Sequence, residues 1–140
     1  MIAYLDTSAL VKLYVDETGS NEARESIAQA ELATTSRLTY VEARAAIARK
    51  VQEKELSVDR QTRLVEVLER DWERYLVLEI SSALCRLAGA LAEAHPLRGG
   101  DAIHLASALT AKARTRRQTL FLCFDERLQS AAESEGLLVR

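Results

Sequence analysis

Four acidic residues of this chain stand at predicted strand-to-helix junctions. Asp6 and Asp125 each directly follow a short apolar run, Glu42 lies in the first turns of a predicted helix, and Asp101 begins another helix behind two glycines. Such junctions gather at one edge of a parallel sheet, so several of these carboxylates should meet there. Carboxylates held together repel one another. The predicted site therefore needs a positive partner.

Oxygen ligands without a His or Cys cluster favour hard cations such as Mg²⁺ or Mn²⁺ over zinc. Two such ions about 3.5–4 Å apart can activate a water molecule and stabilise the departing oxygen of a phosphodiester. The hydroxyls of Thr7 and Ser8 could orient that water, although capping the first helix is the simpler role for them. His104 follows Asp101 by one helical turn, and we leave it outside the predicted catalytic set.

A simpler interpretation also accounts for each acid alone. Asp, Ser and Thr are common helix caps, and Glu42, three residues after Thr39, would complete a capping box. The alternative is then a catalytically silent α/β module that binds RNA or a protein partner. Phosphatases and receiver domains also begin with a strand that ends in Asp, but Ser8 stands where those phosphatases need a second Asp. No P-loop is present.

Strand-like and helix-like segments alternate along the chain. We predict strands at Ile2–Leu5, Leu32–Thr35, Val77–Ile80, Thr119–Phe124 and Leu137–Val139. We predict helices from Thr7 or Ser8, and over Glu22–Ala30, Leu38–Lys54, Ser57–Tyr75, Ser81 or Ser82 to Pro96, Asp101–Ala113 and Glu126–Glu135. In the long helix from Leu38, the apolar stripe is predicted at Val41, Ala45, Ala48 and Val51.

This alternation, with nearly continuous apolar strands, predicts a three-layer α/β/α sandwich around a central parallel sheet. Residues 1–140 match the usual size of one domain, and no repeat or linker divides them. No apolar stretch is long enough for a membrane span and no leader is evident, so we expect a cytoplasmic protein. Cys85 and Cys123 are predicted to be buried free thiols.

The net charge is −2, from 19 Lys and Arg against 21 Asp and Glu, which alone would disfavour a polyanion as partner. Two divalent cations in the acidic cluster would make the functional form mildly positive, so composition does not exclude nucleic acid. Cations for substrate phosphates are predicted among six arginines: Arg37, Arg44, Arg98, Arg114, Arg116 and Arg117.

Four segments together resemble the PIN-domain ribonucleases, and most closely the VapC-type toxins of toxin–antitoxin pairs. These are Ile2-Ala3-Tyr4-Leu5-Asp6-Thr7-Ser8-Ala9-Leu10, Thr39-Tyr40-Val41-Glu42, the stretch from Leu97 to Ala106 with Gly99-Gly100-Asp101-Ala102-Ile103-His104, and Phe124-Asp125 followed by Leu128 and Ala131-Ala132. The resemblance spans the whole chain. Each segment is short and permissive, but the four in this order are specific.

The resemblance implies an endoribonuclease that cuts RNA with Mg²⁺ or Mn²⁺, held by acids matching Asp6, Glu42, Asp101 and Asp125. It also implies a homodimer and a cognate antitoxin that obstructs the site. One departure concerns Cys123, because many relatives carry Thr or Ser two places before the fourth acid. A thiol is a poor substitute for a hydroxyl near a hard cation.

Overall fold

The computed structural model describes all residues 1–140 and contains one sheet of five parallel strands in the order β3-β2-β1-β4-β5. The strands are β1 (Ile2–Leu5), β2 (Leu32–Ser36), β3 (Leu76–Leu78), β4 (Thr119–Leu122) and β5 (Leu138–Val139). The helices are α1 (Thr7–Tyr14), α2 (Ser20–Ala28), α3 (Arg37–Gln52), α4 (Val58–Trp72), α5 (Ser82–Ala94), α6 (Gly99–Thr115) and α7 (Glu126–Ser134).

Helices cover both faces of the sheet, as the alternation of side chains along the central strand requires. Tyr4 packs with residues of α5, α6 and α7. Its neighbours Ala3 and Leu5 pack on the opposite side with residues of α1, α3 and α4. All four residues of β1 are buried. The predicted three-layer α/β/α sandwich is therefore confirmed.

The strand order places a switch point between β1 and β4. The chain runs from β1 outward through β2 to β3, and then returns to lay β4 and β5 on the other side of β1. At such a point the connections leave in opposite directions and open a crevice beyond the carboxyl ends of the strands. Asp6 follows β1 and Asp125 follows β4, so these two acids flank the crevice.

Several predicted boundaries were wrong by two residues. The strand predicted to reach Phe124 ends at Leu122, so Asp125 does not directly end it. The helix predicted to begin at Asp101 begins at Gly99, so the two glycines form its first turn and not a preceding loop. The strand predicted at residues 77–80 occupies Leu76–Leu78.

The predicted inner stripe of α3 was also wrong. The buried residues of this helix are Thr39, Ala43 and Ile47, whereas Val41 is 64% exposed. Because alanines lie on every side of α3, more than one face repeats at three and four residues, and spacing alone could not select the buried one. Cys123 is buried as expected, but Cys85 is an exposed free thiol.

None of the helices combines the length and the apolar character that crossing a bilayer demands.

Candidate active site

Asp6 is the N-cap of α1 and also reaches the crevice. Its Oδ1 accepts a hydrogen bond from the Ala9 amide at 2.9 Å and another from the Ser8 hydroxyl at 2.8 Å. The prediction that Thr7 or Ser8 caps this helix was therefore wrong. Asp6 is only 6% exposed, and none of the fully buried side-chain oxygens or nitrogens of this protein lacks a hydrogen-bond partner. The second oxygen of Asp6, which accepts no hydrogen bond, must therefore lie on accessible surface.

Glu42 lies in the second turn of α3 and is held from two other elements. Its Oε1 accepts hydrogen bonds from the Thr7 hydroxyl at 2.5 Å and from His104 Nε2 at 2.9 Å. Its Oε2 has no hydrogen-bond partner. The capping box predicted for Glu42 was wrong: the box joins Ser36 and Thr39, which precede it.

Asp101 and Asp125 lie at the starts of α6 and α7. Asp125 caps α7, with its Oδ1 accepting from the Leu128 amide at 2.9 Å. Asp101 belongs to the first turn of α6 and accepts no hydrogen bond. Its Oδ2 lies 4.0 Å from Nε of Arg98, the exposed N-cap residue of that helix.

The structure brings all four acids to one open cavity of about 730 Å³. Asp6, Glu42 and Asp125 share a pattern, in which one carboxylate oxygen is fixed by the protein and the other is free of hydrogen bonds. In Asp6 and Asp125, helix capping and exposure to the cavity therefore occur in the same side chain. The simpler interpretation holds for these two acids but not for Glu42 or Asp101, and it leaves the second oxygen of each capping carboxylate unexplained.

Two of the four carboxyl groups show the cost of their crowding. Burial raises the pKa of Asp6 above its usual value, and the nearby Asp101 adds to that rise. Burial likewise raises the pKa of Asp101, helped by the charges of Asp125 and Glu42. The pKa of Glu42 is lowered, chiefly by its hydrogen bond from His104. The charged forms of Asp6 and Asp101 are therefore disfavoured in the folded protein, first by burial and then by the neighbouring acids.

A comparison with known families decides how this arrangement is classified. The family model described as "PIN domain" matches residues 3–134. The chain belongs to the PIN-domain family. Its VapC-type membership follows from 38% identity to Ribonuclease VapC45 of Mycobacterium tuberculosis over 142 residues, which cover 99% of this chain and 94% of the relative.

Solved structures share the PIN fold at lower identity. One is VapC20 of Mycobacterium tuberculosis, described as a sarcin-ricin loop cleaving toxin, with a TM-score of 0.68 and 16% identity over 97% of this chain and 96% of that one. A structure described as a toxin–antitoxin complex from Klebsiella pneumoniae gives a TM-score of 0.56 and 20% identity, covering 84% of this chain and 83% of that chain.

The residues of this PIN domain fit a hard divalent cation. The cavity atoms that are free to bind a metal are carboxylate oxygens, and burial together with neighbouring acids raises the pKa of Asp6 and of Asp101, so a cation there would stabilise their charged forms. No group of three His, Cys, Asp or Glu side chains forms a ready cage for an ion. Mg²⁺ does not require such a group, because it is usually held by one or two carboxylates and keeps several waters.

His104 lines the cavity of the PIN domain, although the sequence did not predict it as a site residue. It is 3% exposed, and its ring joins the hydroxyl of Tyr4 at one nitrogen to Glu42 at the other. Its position one helical turn from Asp101 was visible in the sequence. Its partners were not, because Tyr4 and Glu42 lie 100 and 62 residues away along the chain.

The cations of the PIN-domain cavity are mostly not the predicted ones. Of the six predicted arginines, only Arg98 lines the cavity. Others are engaged elsewhere, with Arg37 paired to Glu79. The cavity instead has Lys12, Arg49 and Lys50 at its wall. These residues lie on α1 and α3, and no local sequence signal distinguishes them from ordinary surface cations.

The thiol of Cys123 does not face the cavity of the PIN domain. The residue is buried, its Sγ lies 3.7 Å from the backbone oxygen of Asp125, and burial raises the pKa of the thiol to about 12. The side chain packs in the core on the α5–α7 side of the sheet. The presence of a thiol in place of a hydroxyl at this position therefore leaves the carboxylate of Asp125 in place.

Asp6→Asn should stabilise this PIN domain by on the order of 1 kcal/mol when divalent cations are absent. The pKa of Asp6 is raised in the folded state, so folding disfavours its charged form. The free energy of unfolding should fall as the pH rises through that pKa, and the variant should lack this fall. Chemical denaturation in chelator at a series of pH values measures both effects.

Asp6→Ala provides the control for this prediction, because alanine removes the cap as well as the charge. It should be less stable than Asp6→Asn by roughly 1 kcal/mol, the usual worth of an N-cap. A wild-type protein that is more stable than Asp6→Asn at every pH in chelator would contradict the expected charge repulsion.

Proposed function

We propose that this VapC-type PIN domain is a metal-dependent endoribonuclease and the toxin of a toxin–antitoxin pair. The proposal is carried by one observation: four carboxylates from four separate elements line a single open cavity, with free oxygens directed at no protein partner. Relatives named as ribonucleases support RNA as the substrate.

In this proposal Asp6, Asp101, Asp125 and Glu42 are the catalytic residues. Mg²⁺ or Mn²⁺ bound among them would polarise the scissile phosphate and lower the pKa of the attacking water. Asp6 and Asp125 would hold the cation with the oxygens that their helix caps leave free. Glu42, kept ionised by Thr7 and His104, would offer its Oε2 to the cation or accept a hydrogen bond from the water.

Cleavage itself is an in-line displacement at phosphorus. The attacking water gives up a proton to a cavity carboxylate or to solvent, and its oxygen forms a bond to phosphorus while the bond to one bridging ester oxygen breaks. The departing oxygen takes up a proton from solvent. Nothing in this step needs a nucleophilic side chain, which agrees with a cavity rich in carboxylates and cations. The protein supplies charge and orientation.

The test is to incubate the purified protein with structured RNAs and with DNA of the same sequences in the presence of Mg²⁺, and to map the products. We expect cuts at internal positions of RNA. Products shortened only from an end would contradict the endonuclease assignment. Intact RNA under all conditions would favour the second candidate, a silent module that binds RNA or protein and uses Asp6 and Asp125 only as helix caps.

Two lysines at the cavity wall are proposed to bind RNA phosphates beside the acids. Lys12 and Lys50 are each paired with Glu17, at 3.1 and 3.0 Å, and Lys50 is also paired with Glu55 at 3.4 Å. Arg49 adds a third cation to this wall of the cavity. A strand of phosphates that crosses the cavity would take the place of the glutamates as the partner of these cations.

Replacing both lysines, Lys12→Gln with Lys50→Gln, should raise the KM for RNA about tenfold with a smaller effect on kcat. Loss of two phosphate contacts should also flatten the dependence of log KM on log salt by about 1.4 for single-stranded RNA. Steady-state kinetics at several salt concentrations measures both.

The matched control for the lysines is Arg116→Gln with Arg117→Gln. These cations line a different cavity, with Lys112 and Leu109. This pair should leave the KM and its salt dependence unchanged. If the arginine pair has a larger effect than the lysine pair, the RNA phosphates bind at the other cavity and the proposed role of the lysines is wrong.

An antitoxin that covers the cavity is proposed as the protein partner, supported by the likeness to the toxin–antitoxin complex from Klebsiella pneumoniae. We also propose a homodimer, which several exposed apolar side chains such as Val41 and Val58 could serve. Sedimentation of the isolated protein would distinguish the dimer from a monomer. We propose the cytoplasm as the place of action, since the RNA substrate is there.

A further inference from the structure

A buried chain of hydrogen bonds runs from the middle of the sheet to the cavity. The hydroxyl of Tyr4 lies 2.9 Å from Nδ1 of His104, and Nε2 of His104 lies 2.9 Å from Oε1 of Glu42. The hydroxyl of Thr7 donates to the same oxygen of Glu42. Tyr4 is fully buried and His104 is 3% exposed, so water does not compete for the contact between these two residues.

The chemistry of the acceptor sets the direction of every bond in this chain. An ionised carboxylate only accepts hydrogen bonds, so Nε2 of His104 must carry the proton that it shares with Glu42. In a neutral imidazole the other nitrogen is then an acceptor, and Tyr4 must donate to Nδ1. Glu42 thus selects the ring tautomer, and Tyr4 completes the arrangement by donating to Nδ1.

The two ends of this chain of hydrogen bonds differ in burial and packing. The Tyr4 ring is stacked on Phe121 at a centroid distance of 5.5 Å with an interplanar angle of 1°, and it meets the His104 ring edge-on at 6.0 Å. Glu42, in contrast, has a long side chain and is only partly buried. The packed core can therefore fix a side chain that would otherwise sample several rotamers.

We propose that Tyr4 and His104 are positioning residues, which fix Oε1 of Glu42 against the core and present Oε2 to the cavity. The inference rests on the proposed function, because it assigns that presented oxygen to the cation or water used in cleavage. Gly100 lies in front of this free oxygen: a Cβ at that position would be in ordinary van der Waals contact with Oε2, at 3.6 Å.

The first experiment needs neither metal nor RNA. Long-range ¹H–¹⁵N NMR of the imidazole rings at pH 8 in chelator should show the Nε2–H tautomer for His104. In Tyr4→Phe, Nδ1 loses its hydrogen-bond donor, so its resonance should shift towards that of an unprotonated ring nitrogen that accepts no hydrogen bond. His95 is the only other histidine, so His95→Gln assigns the signals. A His104 ring protonated at Nδ1 would overturn the proposed direction of the chain.

The second experiment separates positioning from packing by comparing His104→Gln with His104→Leu. An amide nitrogen of glutamine can donate from near the place of Nε2, whereas leucine fills space without donating. His104→Leu should weaken Mn²⁺ binding and lower kcat by about tenfold or more, with little change in the KM for RNA. His104→Gln should recover much of both losses, and Tyr4→Phe should show a smaller loss than His104→Leu.

Thermal unfolding of each variant shows whether that variant is folded under the conditions of the comparison. If His104→Gln and His104→Leu lose Mn²⁺ affinity equally, the role is packing and the proposal fails. If His104→Leu binds Mn²⁺ and cleaves RNA as the wild type does, the proposal fails while the ribonuclease assignment stands. If the wild type cuts no RNA but the Mn²⁺ and NMR results hold, the positioning role stands and the assigned activity fails.

Discussion

Asp101→Asn is expected to lower the rate of RNA cleavage by about a thousandfold or more without unfolding the protein. A cation that stabilises transition-state charge is worth several kcal/mol, and each 1.36 kcal/mol is about tenfold in rate. Asp101 accepts no hydrogen bond, and burial and neighbouring acids raise its pKa, so its charge does not stabilise the fold. Single-turnover cleavage with saturating protein measures the rate of the chemical step.

Asp59→Asn is the matched control for this variant. Asp59 is also an acid in the first turn of a helix, but it is exposed on α4 and outside the cavity. Its replacement should leave cleavage within about twofold. Should Asp101→Asn retain wild-type activity while remaining folded, the carboxylate cluster would not be the catalytic centre.

Removal of divalent cations should abolish cleavage to a similar extent, and Mg²⁺ or Mn²⁺ should restore it. The cavity atoms that are free to bind a metal are carboxylate oxygens, and oxygens are the ligands that these hard ions prefer. Cations should also remove the stability advantage of Asp6→Asn over the wild type, since the bound ion offsets the repulsion. Cleavage and thermal unfolding are measured on the same metal-free protein before and after the addition of each ion.

Chelation requires a control that keeps the protein and RNA intact. The chelator is titrated against added Mg²⁺ so that ionic strength stays constant, and RNA binding is followed in parallel. Binding through Lys12 and Lys50 should persist without metal, because these cations do not depend on it. Full cleavage in excess chelator would exclude the proposed chemistry.

The fold could be predicted from the sequence because its main signals are local. The apolar run of β1, the helix starts at Ser57 and Ser81 and the end of the last helix near Glu135 are read from neighbouring residues, and each is found where the sequence indicates. The inner face of α3 could not be predicted in this way. Which face of α3 becomes buried depends on how the helix packs against the sheet and the other helices. That packing is decided by residues from the whole domain.

The acids of the candidate site were accessible to sequence reasoning for the same reason. Asp6 and Asp125 stand at strand-to-helix connections, and the parallel topology brings such connections to one edge. The surroundings of these acids were not accessible. His104 joins Tyr4 and Glu42 only in three dimensions, and Lys12 and Lys50 reach the cavity from helices whose rotation the sequence does not specify.

The double role of Asp6 has a practical consequence for work in living cells. Serine is an equally good N-cap, so Asp6→Ser should preserve α1 while removing the carboxylate oxygen that faces the cavity. Cells should tolerate high expression of such a folded but harmless protein. It would keep the outer surface of the native toxin and could serve as bait to capture the natural inhibitor, or as a decoy that sequesters it.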